Sequence, residues 1–232
     1  MEKLIIALDI ANSRLAKKII DELPDEIVFY KLGLELMMSG EYFEVVKYLK
    51  SHNKKVFADL KLYDISQTMI RAVENLKQHQ VDMVTIHCAN DEIMRSVARI
   101  KGQMKIIGVT VLTNLDHRDL IEMGFDHKQS LEQIVENKTR MALEAGLDGV
   151  VASVNETALL RKSFGDDFLI ITPGIRLSGV IGDDQKRTAS VFQAIKAKAS
   201  HLVVGRPILH QENIKASAQQ FINAINEATT NS

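Results

Sequence analysis

The 232-residue chain has a single cysteine, Cys88, so no disulfide forms within it and a disulfide-braced secreted scaffold is excluded. It also lacks a charge excess. Lys+Arg 29 against Asp+Glu 30 leaves a net charge of -1, so no global basic surface exists for nucleic acid or an anionic membrane, and any phosphate site must be local. No apolar run approaches the roughly 18 residues of a membrane span. The apolar stretch before Asp9 in MEKLIIALDI is too short for a signal peptide, so a cytoplasmic protein is expected. Proline is scarce, and Pro24, Pro173 and Pro207 all fall outside the strands expected below. What remains is ordinary for a globular chain: 46% hydrophobic and 25% charged residues, on a length that suits one domain over residues 1–232.

Eight short apolar runs recur at 4–8, 27–32, 55–60, 83–86, 105–112, 149–154, 168–171 and 202–204. They are rich in Val and Ile and apolar on successive residues, the pattern of parallel strands buried on both faces. Between them the apolar residues take helical spacing, as in Leu15, Ile19 and Leu23, or Met69, Val73 and Leu76. Asn12-Ser13, Ser39, Asn90-Asp91, Ser130 and Asn155 stand where N-caps are expected. Eight strands alternating with about eight helices predict a (β/α)₈ TIM barrel of the α/β class. The runner-up, an open doubly wound sheet, usually carries a Gly-rich turn after its first strand. Leu8-Asp9-Ile10-Ala11-Asn12 contains no glycine.

Barrels carry their chemistry where strands end, and here those ends are charged. The first strand ends in Asp9, the second in Lys31, and the third in Asp59 and Lys61 with Asp64 beyond. Residues two apart on a strand leave the same face, so Asp59 and Lys61 are expected to be neighbours. Carboxylates on both sides hold the Lys61 ammonium charged, which suits a proton donor and not a Schiff-base nucleophile. After the seventh and eighth strands come Gly174-Ile175-Arg176 and Gly205-Arg206, where glycine amides and a guanidinium can grip phosphate. The polar stretch 114–119 is a candidate active-site loop. Structural roles are expected for His87 and Cys88.

The segment Asp59-Leu60-Lys61-Leu62-Tyr63-Asp64-Ile65, with Thr68 after it, resembles the D-x-K-x-x-D-I-x-x-T signature of the orotidine 5'-phosphate decarboxylase family. Lys31-Leu32-Gly33, Val111-Leu112-Thr113, Val151-Ala152-Ser153, Thr172-Pro173-Gly174-Ile175-Arg176, Asp184-Gln185-Lys186-Arg187 and Val204-Gly205-Arg206-Pro207 follow in the family's order. The resemblance implies decarboxylation of orotidine 5'-phosphate to UMP and CO₂ in pyrimidine biosynthesis, with no organic cofactor and no metal. It assigns Lys31, Asp59, Lys61 and Asp64 to an alternating charge array, with Lys61 as proton donor. Asp9 is expected on a ribose hydroxyl, and Thr113 and Ser153 near the ribose or pyrimidine. Gln185 is expected to reach phosphate and pyrimidine, Gly205 and Arg206 to hold the 5'-phosphate, and Arg176 to stand in the phosphate-side loop. Asp64 and Thr68 are expected from the second subunit of a homodimer with shared active sites.

Two rivals share the barrel. A metal-dependent sugar-phosphate aldolase or decarboxylase of the hexulose-phosphate synthase type has the same D-x-K-x-x-D pattern, but carries an acidic ligand where Lys31 stands here. A non-catalytic nucleotide-phosphate binder needs no proton donor such as Lys61.

Overall fold

The computed structural model describes residues 1–177 and 188–231. Its centre is a closed parallel barrel whose strands are β1 (Leu4–Leu8), β2 (Phe29–Gly33), β3 (Lys55–Leu62), β4 (Met83–His87), β5 (Lys105–Val109), β6 (Gly149–Val151), β7 (Leu169–Thr172) and, after two short strands described below, β10 (His201–Val204). β1 pairs with β2 on one side and β10 on the other, which closes the ring. The unbroken apolar runs now have their cause. Ile5 and Ala7 point into the barrel with Phe29, Phe57, Met83, Ile107, Ile171 and Val203, while Leu4, Ile6 and Leu8 face the helices. Both faces of each strand are therefore dry. Gly149 lets β6 approach β7 closely, since a Cβ there would lie 2.0 Å from the Leu169 carbonyl oxygen.

The crossovers are α1 (Ser13–Glu22), α2 (Leu34–Met38), α3 (Tyr42–Ser51), α4 (Ser66–Gln78), α5 (Asp91–Ile100), α6 (His117–Glu122), α7 (Leu131–Glu144), α8 (Val154–Phe164), α9 (Val191–Lys196), α10 (Arg206–Leu209) and α11 (Ile214–Thr230). Asn12, Asn90 and Ser130 cap α1, α5 and α7 through their side-chain oxygens, each cap worth about 1 kcal/mol. Two expected caps fall elsewhere. Ser39 closes α2, a short helix the apolar spacing did not separate, and Glu41 precedes α3. Asn155 lies inside α8, whose N-cap is Ser153, because β6 stops at Val151 and not at residue 154. Of the stripe expected on α1, Ile19 and Leu23 are buried and Leu15 is exposed; Ala16 and Ile20 complete the contact.

Beyond β7 the chain adds a small parallel pair, β8 (Ile175–Arg176) and β9 (Ala189–Ser190), which ties the two sides of residues 178–187 together at the C-terminal mouth. Stretch 114–119 contains the start of α6, held by a capping box in which Asp116 accepts from the Asp119 N–H and the Asp119 carboxylate accepts from the Asp116 N–H. No described helix is long and apolar enough to cross a membrane.

Candidate active site

The C-terminal mouth of the barrel holds a cavity of about 320 Å³, within the range of roughly 300–1,000 Å³ usual for small-molecule sites. Its floor is the upper inward layer of the barrel, including Ala7, Phe57, Ile171 and Val203. Its walls bring together Asp9, Lys31, Asp59, Lys61, Thr113, Arg176, Gly205 and Arg206. These residues come from strand ends and the loops beyond them, and meet because the closed sheet brings those ends into one ring.

One side of the mouth is a line of alternating charges. The Lys31 ammonium donates to Asp9 Oδ1 at 2.7 Å and lies 3.4 Å from Asp59 Oδ2, and Lys61 Nζ donates to Asp59 Oδ1 at 2.9 Å. Lys31 is buried, at 8% exposure, between its two carboxylates. Burial alone would lower its pKa, but Asp59 and Asp9 outweigh that and hold it above the ordinary lysine value. Burial pushes the Asp59 carboxyl up, and the Lys31 and Lys61 ammoniums, with hydrogen bonds from Lys61 and Thr85, override it and keep Asp59 below the usual carboxylate range. The array is therefore ionised throughout its buried part.

Asp59 and Lys61 are neighbours as expected, yet not through plain strand alternation. Between Ala58 and Leu62 the register on β4 advances only from Val84 to Ile86, so β3 bulges. Lys61 sits in the bulge with φ +48°, in the left-handed region that a lysine rarely adopts. Its backbone N–H leaves the ladder and donates to Thr85 Oγ1 at 2.9 Å, while Thr85 donates to Asp59 Oδ1 at 3.0 Å.

Asp64 and Thr68 are exposed and do not line the cavity, so the expectation that Asp64 flanks Lys61 is not met within one chain. The described ion pair of Lys61 is to Asp59. Ser153 is buried just past the Val151 wall. Its N–H donates to the Glu156 carboxylate at 2.7 Å, as part of the capping box that starts α8. Arg176 Nη1 donates to the Ile175 carbonyl at 3.1 Å. Gln185 lies outside the described residues. Among the described residues no group of three or more His, Cys, Asp or Glu is arranged to hold a metal. The buried Cys88 thiol is pushed up to about 12 by burial, so it is not a nucleophile. Burial, then Lys138 and Lys61, lowers the pKa of His87, whose ring packs edge-on to Tyr63.

Sequence reasoning missed Thr85. The available signal was a hydroxyl in the otherwise apolar run 83–86, in a strand whose neighbour carries the charged motif.

Comparison with known proteins agrees with this geometry. A model of the orotidine 5'-phosphate decarboxylase / HUMPS family matches residues 2–221. The chain belongs to that family. The orotidine 5'-phosphate decarboxylase of Methylococcus capsulatus is 43% identical over 220 residues, covering 94% of this chain and 90% of the relative. That of Nitrobacter winogradskyi is 44% identical over 228 residues, covering 98% and 94%. A crystal structure of the orotidine 5'-phosphate decarboxylase from Lactobacillus acidophilus superposes with a TM-score of 0.85 at 30% identity, covering 97% of this chain and 100% of that one. That structure and this chain thus share the barrel over nearly the whole of both.

Proposed function

We propose that the chain decarboxylates orotidine 5'-phosphate to UMP and CO₂, the step that completes a pyrimidine nucleotide. The observation that carries this reading is the Asp9–Lys31–Asp59–Lys61 array beside a phosphate-suited rim of Gly205, Arg206 and Arg176. In the reaction the bond from C6 to its carboxylate breaks, the electron pair stays on C6, and CO₂ departs. Lys61 Nζ then gives a proton to C6 and regains one from water. The negative charge developing at C6 is stabilised by a fixed ammonium that needs no reorganisation at the moment of reaction. Asp59 keeps that ammonium aimed from the side on which the substrate carboxylate leaves.

The remaining roles follow the chemistry of each group. Arg206 and the Gly205 amide hold the 5'-phosphate, with Arg176 beside them and Gln185 reaching across to phosphate and pyrimidine. Asp9 accepts from a ribose hydroxyl. Thr113 and Ser153 meet the ribose or pyrimidine. Asp64 and Thr68 complete the site of a second subunit in a cytoplasmic homodimer. Their exposure, and that of Tyr63 and Ile65 around Asp64 at 65% and 70%, supports an interface here.

The metal-dependent sugar-phosphate reading weighed above is the rival on the same barrel. Lys31 argues against it. A divalent cation held by Asp9 and Asp59 would have to sit against the ammonium that already bridges them. One assay separates the readings: loss of orotidine 5'-phosphate absorbance with purified protein, with and without EDTA. Turnover unaffected by chelator is expected. Activity that vanishes in EDTA and returns with Mg²⁺ would favour the metal-dependent reaction, and nucleotide binding without turnover would favour a binder.

A further inference from the structure

Thr85 is fully buried on β4, and both hydrogen bonds of its hydroxyl go to the charged motif of β3. Their directions are forced. The Lys61 backbone N–H can only donate, so Thr85 Oγ1 accepts; the ionised Asp59 carboxylate can only accept, so the hydroxyl proton points to Asp59 Oδ1. Asp59 Oδ1 is also the atom that receives Lys61 Nζ at 2.9 Å. One hydroxyl therefore fixes the backbone of the lysine and the carboxylate that aims its ammonium.

The bulge makes this necessary. β3 spends the residues from Ala58 to Leu62 where β4 spends those from Val84 to Ile86, so the regular ladder supplies no acceptor for the Lys61 N–H. The left-handed backbone of Lys61, φ +48°, persists only if its surroundings over-determine it. A valine would fill the volume of Thr85 equally well and serve the dry strand as well, so the hydroxyl is not there for packing.

We propose that Thr85 is a positioning residue of the decarboxylation, clamping Lys61 and Asp59 of the bulge in one geometry. It rests on the reading of the preceding subsection, since it acts through the proton donor assigned there.

Thr85→Val and Thr85→Ser test it, with orotidine 5'-phosphate turnover and hydrogen–deuterium exchange at the Lys61 amide as readouts. Misplacement of a reacting group by about 1 Å costs on the order of 100-fold, so kcat of Thr85→Val is expected to fall by about that factor. KM should change less than about threefold, because the phosphate and ribose contacts are untouched. Exchange at the Lys61 amide should quicken in Thr85→Val and stay as in wild type in Thr85→Ser, which keeps both bonds and most of kcat. Wild-type kcat in Thr85→Val overturns the proposal, and so does a loss in Thr85→Ser equal to that in Thr85→Val. Should wild-type protein fail to turn over the substrate, the decarboxylase reading falls, and amide exchange alone decides the clamp: unchanged exchange in Thr85→Val overturns it. If Thr85→Val does not purify folded, Thr85→Ala is read by the same criteria.

Discussion

Lys61 reaches Asp59 from a left-handed backbone: its Nζ lies 2.9 Å from Asp59 Oδ1 while its φ is +48°. A non-glycine residue held this way costs of order 1–3 kcal/mol, an expense the fold carries at its proposed catalytic lysine. The bulge lies at the end of β3, and the Lys61 side chain lines the mouth. Strain and the proposed proton donor coincide at one residue.

Lys61→Ala is expected to remove nearly all turnover while leaving UMP binding measurable by calorimetry. The ammonium serves charge that develops only as CO₂ leaves, so its loss falls on kcat more than on ground-state affinity. Turnover at the wild-type rate would remove Lys61 from the mechanism.

Arg206→Ala is expected to act in the opposite way, raising KM and weakening UMP binding with a smaller effect on kcat at saturation. A charge-assisted hydrogen bond to an anion contributes about 1.5–3 kcal/mol, so affinity should fall by roughly ten- to 150-fold. Unchanged affinity would move the phosphate away from β10.

The barrel was legible because its strands are dry on both faces, so runs such as 4–8 and 202–204 stand out without alternation. The ring of charged strand ends was legible for a related reason: charges interrupt an apolar pattern only where the strand meets solvent or a site. The bulge was not. A leucine between two charged residues reads the same whether the backbone alternates or bulges, and Asp59 and Lys61 meet in both cases. Thr85 was hidden because threonine is an ordinary strand former, and only its two partners reveal that its hydroxyl is committed. The pair β8 and β9 escaped because two residues carry no periodicity.

The charge array gives stability a pH signature with two signs. Asp59 has a folded pKa below its ordinary 3.8, so its contribution is complete above that value and is lost as pH falls towards the folded one. Lys31 has a folded pKa above its ordinary 10.5, so its contribution is complete below that value and lost as pH rises through the folded one. The Tm difference between wild type and Asp59→Asn should therefore stay constant across neutral and mildly acidic pH and narrow only below about 3.8. A gap that narrows near neutral pH would show that Asp59 is not held ionised by its lysines.

Gly33 is glycine for space and not for backbone freedom, since its φ is -106°. A Cβ there would stand 3.2 Å from Asp9 Oδ1 and 3.5 Å from Lys31 Nζ. The lysine contact is an ordinary one; the Asp9 carboxylate, on a side chain 58% exposed, has to give by a few tenths of an ångström. Gly33→Ala should thus lengthen the Asp9–Lys31 bond and lower kcat/KM, by less than the roughly tenfold that complete loss of such a contact implies. In an Asp9→Asn background the same substitution should cost much less, and equal losses in both backgrounds would show that it does not act through Asp9.

Asp64 and Lys61 lie in one motif, yet Asp64 is exposed and absent from the mouth of its own chain. If it completes the partner's pocket across a two-fold interface, Lys61→Ala and Asp64→Ala lesions will segregate when subunits are mixed. In a hybrid dimer one pocket then receives both lesions and the other neither. Random reassembly of the two inactive parents makes half the dimers hybrid, each with one intact pocket, so about a quarter of wild-type sites should return. Were Asp64 to act within its own chain, every pocket of the hybrid would carry one lesion and nothing would return. The measurement is specific activity after mixing, with subunit exchange followed by mass-tagged chains. Exchange without recovery above the parents would confine each site to a single subunit.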